Sequence, residues 1–518
     1  MTNLRNYGRR GLLALVAVPM LALAPACTDL TEVPADALTP ENAFRTQTEI
    51  LAGVASVYAG LRGTMWGYYN LSEISTDEMI VPTRGSDWFD NGTWLEIHKQ
   101  TWGANSGSAL GDMNGAWNDL FTGVARSNLM IDVLNKQTAS ATRDSSVAEL
   151  RTLRAWYYHS LMDLFGSVPL VTKPALEANP PVTRDSLFKF LEAELLASRS
   201  LLPLTWPGGQ HGRITKGAAN AMLASMYLNA EVFTGTVTAS GLTKGAPRWQ
   251  DAINAADSVI NSGVYSLAAD WKGNFSTTND NSPENIFVIK HTAVAGLGIS
   301  LPMRTLHYNQ LSTGNGGPWN GFATLAETYR AFDPADKRRE IFLIGPQVSF
   351  QDGLPINDRA GARLVYTDTI GNERAAAENE GVRFNKFPPL PSAPAGDAHP
   401  NDFPIFRLAE MHLIKAEALN ELGQTGPAML ELNLVRARQF DSPVPLVAAS
   451  QAAARDLILN ERLFEFAAEA KRRRDLIRAG RFTEARRFKP ATEPYKILFP
   501  IPQTQIGSNP RLVQNPGY

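Results

Sequence analysis

Between residues 77 and 105 the indole rings of Trp88, Trp94 and Trp102 are interleaved with Asp77, Arg84 and Asn105. A flat aromatic face stacks on the apolar C–H side of a sugar ring, while nearby carboxylate, guanidinium and amide groups bond its hydroxyls. This set supplies both kinds of contact. The competing reading is that the rings plug gaps between loop and helix, and the residue types alone leave both open. Tryptophan is plentiful, 10 in 518 residues, and several copies sit in polar, glycine-rich surroundings where a binding face is one explanation.

Hydrolytic chemistry finds less support. The adjacent carboxylates Asp77 and Glu78 would suit a glycosidase only if a pair stood ~5 to 9 Å apart across a sugar, and acidic pairs are more often solvated surface. There is no Gly-x-Ser-x-Gly elbow, no phosphate loop and no His-Glu-x-x-His helix. His98, His159, His211, His291, His307, His399 and His412 are scattered without ligand spacing, so no metal site and no cofactor is expected. The run "LSTGNGGPWNG" at 311–321 lacks the strand before and helix after that a dinucleotide loop requires, and reads as surface loop. Arg472 to Arg474 read most simply as a solvated helix face, with local salt bridges as the alternative. A net charge of −2 offers nucleic acid nothing to bind.

Cys27 is the only cysteine. Before it stand Arg5, Arg9 and Arg10, an apolar run to about Ala24 and small residues, the anatomy of a secretory signal. The run is too short for a comfortable span, which needs ~20 residues. Small residues leading to a lone cysteine predict lipidation of Cys27; the alternative is ordinary cleavage after "APA", with an idle thiol. With no second cysteine there is no internal disulfide, so a core must hold the exported domain.

The elements that would carry these residues are mainly helical. "LTPENAF" predicts a helix start, with Thr39 capping and Pro40 at the first position. In "VAELRTLRAWYYHSLMDLFG", Leu150, Leu153, Tyr157, Leu161 and Leu164 form one apolar face ended by Gly166. Leu408, Met411, Ile414, Ala418 and Leu422 do the same before Gly423. A third long helix is expected through "AARDLILNERLFEFAAEAKRRRDLIRAG", with Leu459, Leu463, Phe466, Ala470 and Ile477 on one side. Alanine-rich helix pairs suggest a tetratricopeptide-like right-handed stack, although no clean period of ~34 residues is readable. Residues 65–111 and 266–400 read as ordered loop on this scaffold, and the proline-rich tail as a surface strap.

Six blocks in order resemble the SusD/RagB family of outer-membrane lipoproteins: "CTDLTEVPADALTPENAF", "LRAWYYHSLMDLFGSVPLVTKP", "GRITKGAANAMLASMYL", "DFPIFRLAEMHLIKAEALNELG", "ILNERLFEFAAEAKRRRDLIRAGRF" and "PIPQTQIGSNPRLVQNPGY". The resemblance implies a mainly α fold, a tetratricopeptide-like scaffold with an irregular loop-rich lobe. It divides the chain into a signal peptide (1–26), a lipidated tether (27–38) and one domain (39–518). Scaffold would occupy 39–63, 112–265 and 402–482, binding loops 64–111 and 266–401, and an extended tail 490–518. It further implies a non-enzymatic, surface-exposed, lipid-anchored protein of the outer membrane. Such a protein hands oligosaccharide, or in some members peptide, to a SusC-type TonB-dependent transporter. Carried over by motif, the ligand site would comprise Asp77 in "STDEM", Arg84 in "PTRG", and Trp102 and Asn105 in "TWGANSG", with Tyr308 and Trp319 from the lobe. One departure is "EAKRRRDLIRAG", where Arg473 and Arg474 replace aromatic residues common in relatives, which puts local packing in doubt.

Overall fold

The computed structural model describes residue 44 and residues 46–518, apart from 106, 175–176, 209 and 314–315. Cys27, Thr39, Pro40, the signal and the tether lie outside the described residues. The first described helix, α1 (Gln47–Gly60), is closed by a capping box in which the Thr46 hydroxyl accepts from Glu49 N–H and the Glu49 carboxylate accepts from Thr46 N–H.

The scaffold is a row of helices. α2 (Gly67–Glu73) and α3 (Thr93–Lys99) follow α1, then the long α4 (Leu110–Asn135) and α5 (Ala141–Phe165), α6 (Arg184–Arg199), α7 (Lys216–Leu228), the single turn α8 (Ala230–Phe233) and α9 (Trp249–Ile260). After the lobe, which holds the short α10 (Leu301–Thr305) and α11 (Ala326–Ala331), come α12 (Leu408–Glu421), α13 (Thr425–Ala437), α14 (Gln451–Phe466), α15 (Arg472–Arg478) and α16 (Gln503–Ser508). α4 packs on α5, α5 on α6, α6 on α7, α7 on α9, α9 on α12 and α12 on α13. Each helix buries its apolar face on the next, the logic of a helical repeat stack. No helix among the described residues is long and apolar enough to cross a membrane.

The expected faces are buried, with two differences. α5 is enclosed on every side from Thr152 to Phe165, because it lies between neighbours rather than at the edge of the stack. Leu422, at the C-cap of α12, is exposed.

The third expected long helix is broken into α14 and α15. Between them Ala468 and Ala470 take left-handed φ values of 64° and 58°, which cost free energy without a glycine. Compensation comes from α2 and the turn after it: Glu78 accepts from Ala468 N–H at 3.0 Å, and Glu73 accepts from Ala470 N–H.

Arg472 to Arg474 are buried, not solvated. Arg472 makes a two-pronged bond to Asp77 (2.8 and 2.7 Å), and Arg473 pairs with Asp163 at 3.0 Å while its guanidinium lies 5.2 Å from the centre of the Phe499 ring. Arg473, a cation in place of an aromatic, is accommodated because it finds the carboxylate of Asp163 from a distant part of the chain.

The lobe, between α9 and α12, is built from short pieces, the longest strand Asn285–Ile289 pairing antiparallel with Phe403–Arg407. A buried ionic cluster joins it to the scaffold. Arg407 bonds Glu284, Glu465 and Glu469, and Arg338 bonds Asp336, Glu461 and Glu465. Burial opposes the charge on Glu465, but Arg438, Arg407 and Arg338 outweigh it and hold the carboxyl far below its ordinary value.

The tail is not a surface strap. Ile497, Leu498, Phe499 and Ile501 are core residues, and α16 follows them. Proline set the chain direction here without keeping it at the surface.

Candidate functional site

The lobe and the early loop meet in a cluster of aromatic rings. Trp66 caps α2 and is 45% exposed, as a large apolar ring on a folded surface rarely is without reason. Gly67 beside it lets α2 cross α4 closely: a Cβ there would stand 2.5 Å from the backbone N of Ala116. Trp319 stacks with Trp66, centroids 6.3 Å apart and planes 25° from parallel. Trp88 lies 6.5 Å from Trp319, donates from Nε1 to the Trp319 carbonyl at 2.6 Å, and meets Trp94 edge-on at 5.2 Å. Phe89 projects beside it, 56% exposed.

Backbone constraints fix this platform. Trp88, Asp90, Asn91 and Asn320 all have left-handed φ, 60°, 36°, 55° and 52°, a concentration of strain of the kind that accumulates at binding sites. It is held by bonds: Asp90 accepts from Trp94 Nε1 at 2.6 Å, and Thr93 donates to the Asp90 carbonyl at 2.7 Å. The Trp319 turn hangs on α10, with Trp319 N–H donating to Met303 and both Gly321 and Phe322 N–H to Arg304. Gly321 is required by contact, since a Cβ there would lie 2.2 Å from the Trp88 ring.

Beneath Trp66 sits Arg304, its guanidinium 3.8 Å from the ring centre and wholly buried. Burial pushes its pKa down to about 10. It donates to Asn70 and Ser300 at 3.1 Å.

A polar rim adjoins the rings. Tyr308 donates to Asp87 at 2.6 Å, and Arg359 lies 4.0 Å over the Tyr308 ring. Arg359 bonds Asp87 at 2.8 Å and also Glu378, which His307 contacts at 3.0 Å. Burial would raise the Glu378 carboxyl, but bonds from Arg359 and His307 outweigh it and hold it below its ordinary value. Burial drives the Tyr308 hydroxyl upward, reinforced by its bond to Asp87. The arrangement offers flat apolar faces beside hydroxyl, carboxylate and guanidinium groups, suited to a ligand with apolar and hydroxylated sides.

Of the residues expected at a ligand site, Trp319 and Tyr308 belong to this surface. Asn105 lies exposed in the loop before α4. Trp102 does not belong to it: the ring is fully buried, tilted on Phe499 at 4.4 Å, and donates to Tyr518 at 2.8 Å, so neither face is open to a ligand. Arg84 is likewise buried, its guanidinium bonded to the carbonyls of Ala377 and Glu380. Asp77 is engaged by Arg472, whose charge outweighs burial and lowers its pKa. These three residues hold the loop to the fold. The alternative hydrolytic pair fails on the same ground, since Asp77 is ion-paired and Glu78 is buried against Glu73 and Ala468. Among the described residues no group of three or more His, Cys, Asp or Glu could hold a metal ion.

Sequence reasoning missed Trp66, Asp87, Arg304, Arg359 and Glu378. The signal available for Trp66 was an indole directly before a helix-starting Gly-Tyr-Tyr in a loop-rich stretch.

A model of the SusD family matches residues 259–518, and one described as starch-binding and associating with the outer membrane matches residues 43–228. The chain is 23% identical to a SusD-like protein of Formosa agariphila across 94% of both chains. It is 25% identical to the starch-binding protein SusD of Bacteroides thetaiotaomicron, across 87% of this chain and 85% of that one. A solved laminarin binding SusD-like protein has the same fold, with TM-score 0.73 and 23% identity over 92% of this chain and 100% of the other.

Proposed function

The chain belongs to the SusD family, and from that premise we propose that it captures oligosaccharides at the cell surface on the platform of Trp66, Trp319 and Trp88 and passes them to a SusC-type TonB-dependent transporter. The observation that carries this reading is the exposed Trp66–Trp319 stack, an apolar surface in reach of a polar rim and braced by strained turns. Family relatives named as starch-binding and laminarin-binding support a glycan as the ligand. The protein would bind without transforming its ligand, acting as the capture component of an uptake complex. Asn105 remains a proposed polar contact from the neighbouring loop.

Attachment would come from a diacylglycerol on Cys27, with further acylation after cleavage, since several acyl chains anchor durably where one does not. With that anchor the protein would sit on the outer membrane, facing outward, in keeping with the family model described as associating with the outer membrane. Mass spectrometry of the mature amino terminus tests this, and an unmodified Cys27 terminus would exclude the anchor. The binding reading is tested by titrating oligosaccharides and peptides in parallel: heat with a glycan supports it, and heat with peptides alone would replace the ligand class.

A further inference from the structure

We propose that the platform selects electrically neutral glycans and discriminates against chains bearing uronate or sulfate, an inference that rests on the glycan reading of the same surface. The charge layout around the rings favours a neutral ligand. A sulfate or carboxylate on a sugar is held by a cation with free donors, most often arginine in a two-pronged bond. The guanidinium groups built into the platform and its turns are already engaged. Arg304 is wholly buried under Trp66 and bonded to Asn70 and Ser300. Arg84 and Arg383 are buried and donate to the carbonyls of the 377–381 turn, Arg383 also to Asn320. Arg359 is accessible, yet Asp87 and Glu378 both hold it.

Among the charged groups bonded to the platform and its rim, the accessible charge that remains is negative. Asp87 and Glu378 together exceed the single charge of Arg359, and Asp90 stands exposed beside Phe89. His307, which faces Glu378, adds no positive charge at neutral pH, because burial pushes its pKa down. An anionic ligand would meet these carboxylates within the ~8 Å over which charge is felt at physiological salt. Using Arg359 for the ligand would mean detaching it from two carboxylates. A neutral sugar asks for neither, since it stacks on Trp66 and Trp319 and its hydroxyls can donate to Asp87 and Glu378.

The test uses the purified full chain and a panel of neutral oligosaccharides (α-glucan, β-1,3-glucan, mannan, xylan) beside uronate chains (alginate, galacturonan) and sulfated galactans, at 20 and 150 mM salt. Binding confined to neutral members, or at least tenfold tighter for them with the gap widening at low salt, is the expected result. The double substitution Asp87→Asn with Glu378→Gln, which releases Arg359 and removes the acidic excess, is expected to raise affinity for anionic chains several-fold. Anionic chains binding as tightly as neutral ones, or tighter as salt falls, would overturn the inference while leaving the glycan reading intact. No binding to any glycan would overturn that reading and this inference with it.

Discussion

Trp66 and Trp319 lie with ring centroids 6.3 Å apart and planes within 25° of parallel, one held at the start of α2 and the other on a turn suspended from α10. Scaffold and lobe therefore each contribute one wall of the same surface. Their separate supports, Arg304 beneath Trp66 and Asn320 anchored by Arg383 beside Trp319, keep the rings at the surface when burial would be the default for indole.

Replacing Trp66 by Ala is expected to weaken oligosaccharide binding by about 2 kcal/mol, roughly thirtyfold, as for loss of an aromatic hot spot. Stability should change by only about 1 kcal/mol, chiefly through the lost contact with Arg304. Calorimetric titration and thermal melting of the same preparation separate the two effects.

Trp102→Ala should do the reverse. Removing a wholly buried indole that packs on Phe499 and bonds Tyr518 is expected to cost about 3 to 5 kcal/mol of folding stability. Affinity of the folded fraction should stay within about twofold of the parent, since Trp102 has no face open to a ligand. Urea unfolding followed by titration below the transition checks both.

Gly321→Ala places a methyl group where the Trp88 ring now lies, 2.2 Å away. The ring must move, with an overpacking cost of about 1 to 3 kcal/mol. Near-ultraviolet circular dichroism should change in the tryptophan region, and binding should weaken with it.

Much of the scaffold was legible because helices announce themselves locally: Leu150 to Leu164 repeat at helical spacing, and Gly166 and Gly423 stop their helices as expected. The break after α14 was not, because alanine favours helix and distant groups, Glu73 and Glu78 on the amides and Tyr69 and Lys386 on the carbonyls, make the left-handed turn at Ala468 and Ala470 tenable. The site was half legible. Trp88 and Trp94 could be chosen by type and neighbourhood, whereas Trp319 and Tyr308 were reached only through the family resemblance. Trp102 was misassigned because a Trp-x-x-Asn spacing carries no information on burial, which here is set by the C-terminal Phe499 and Tyr518. Trp66 and Arg359 escaped notice since their partners lie far away in the chain.

Glu73 and Glu78 yield a pH prediction. Both are buried, and burial raises both carboxyl pKa values, with Glu73 raising Glu78 further. One Glu73 oxygen meets no donor, as expected if a proton is shared between the two acids. Lys386, Glu469, Arg472 and Tyr69 are the charged or titratable groups facing the pair. With folded pKa values above the ordinary 4.5, the pair's contribution is complete below that pH and is lost as pH rises through the folded values. Glu73→Gln, whose amide can donate to ionised Glu78, should remove this loss. Thermal midpoints from pH 5 to 8.5 are expected to show the parent declining relative to the variant, and parallel curves would exclude a shared proton.

The most direct measurement is calorimetric titration of Trp319→Ala against the parent, using the neutral oligosaccharide that the parent binds tightest. At least a tenfold loss of affinity is expected in a protein that still folds cooperatively, with a stability loss of about 1 kcal/mol, since Trp319 forms a wall of the platform and is half-buried. Unchanged affinity in a folded Trp319→Ala protein would contradict the placement of the glycan on these rings.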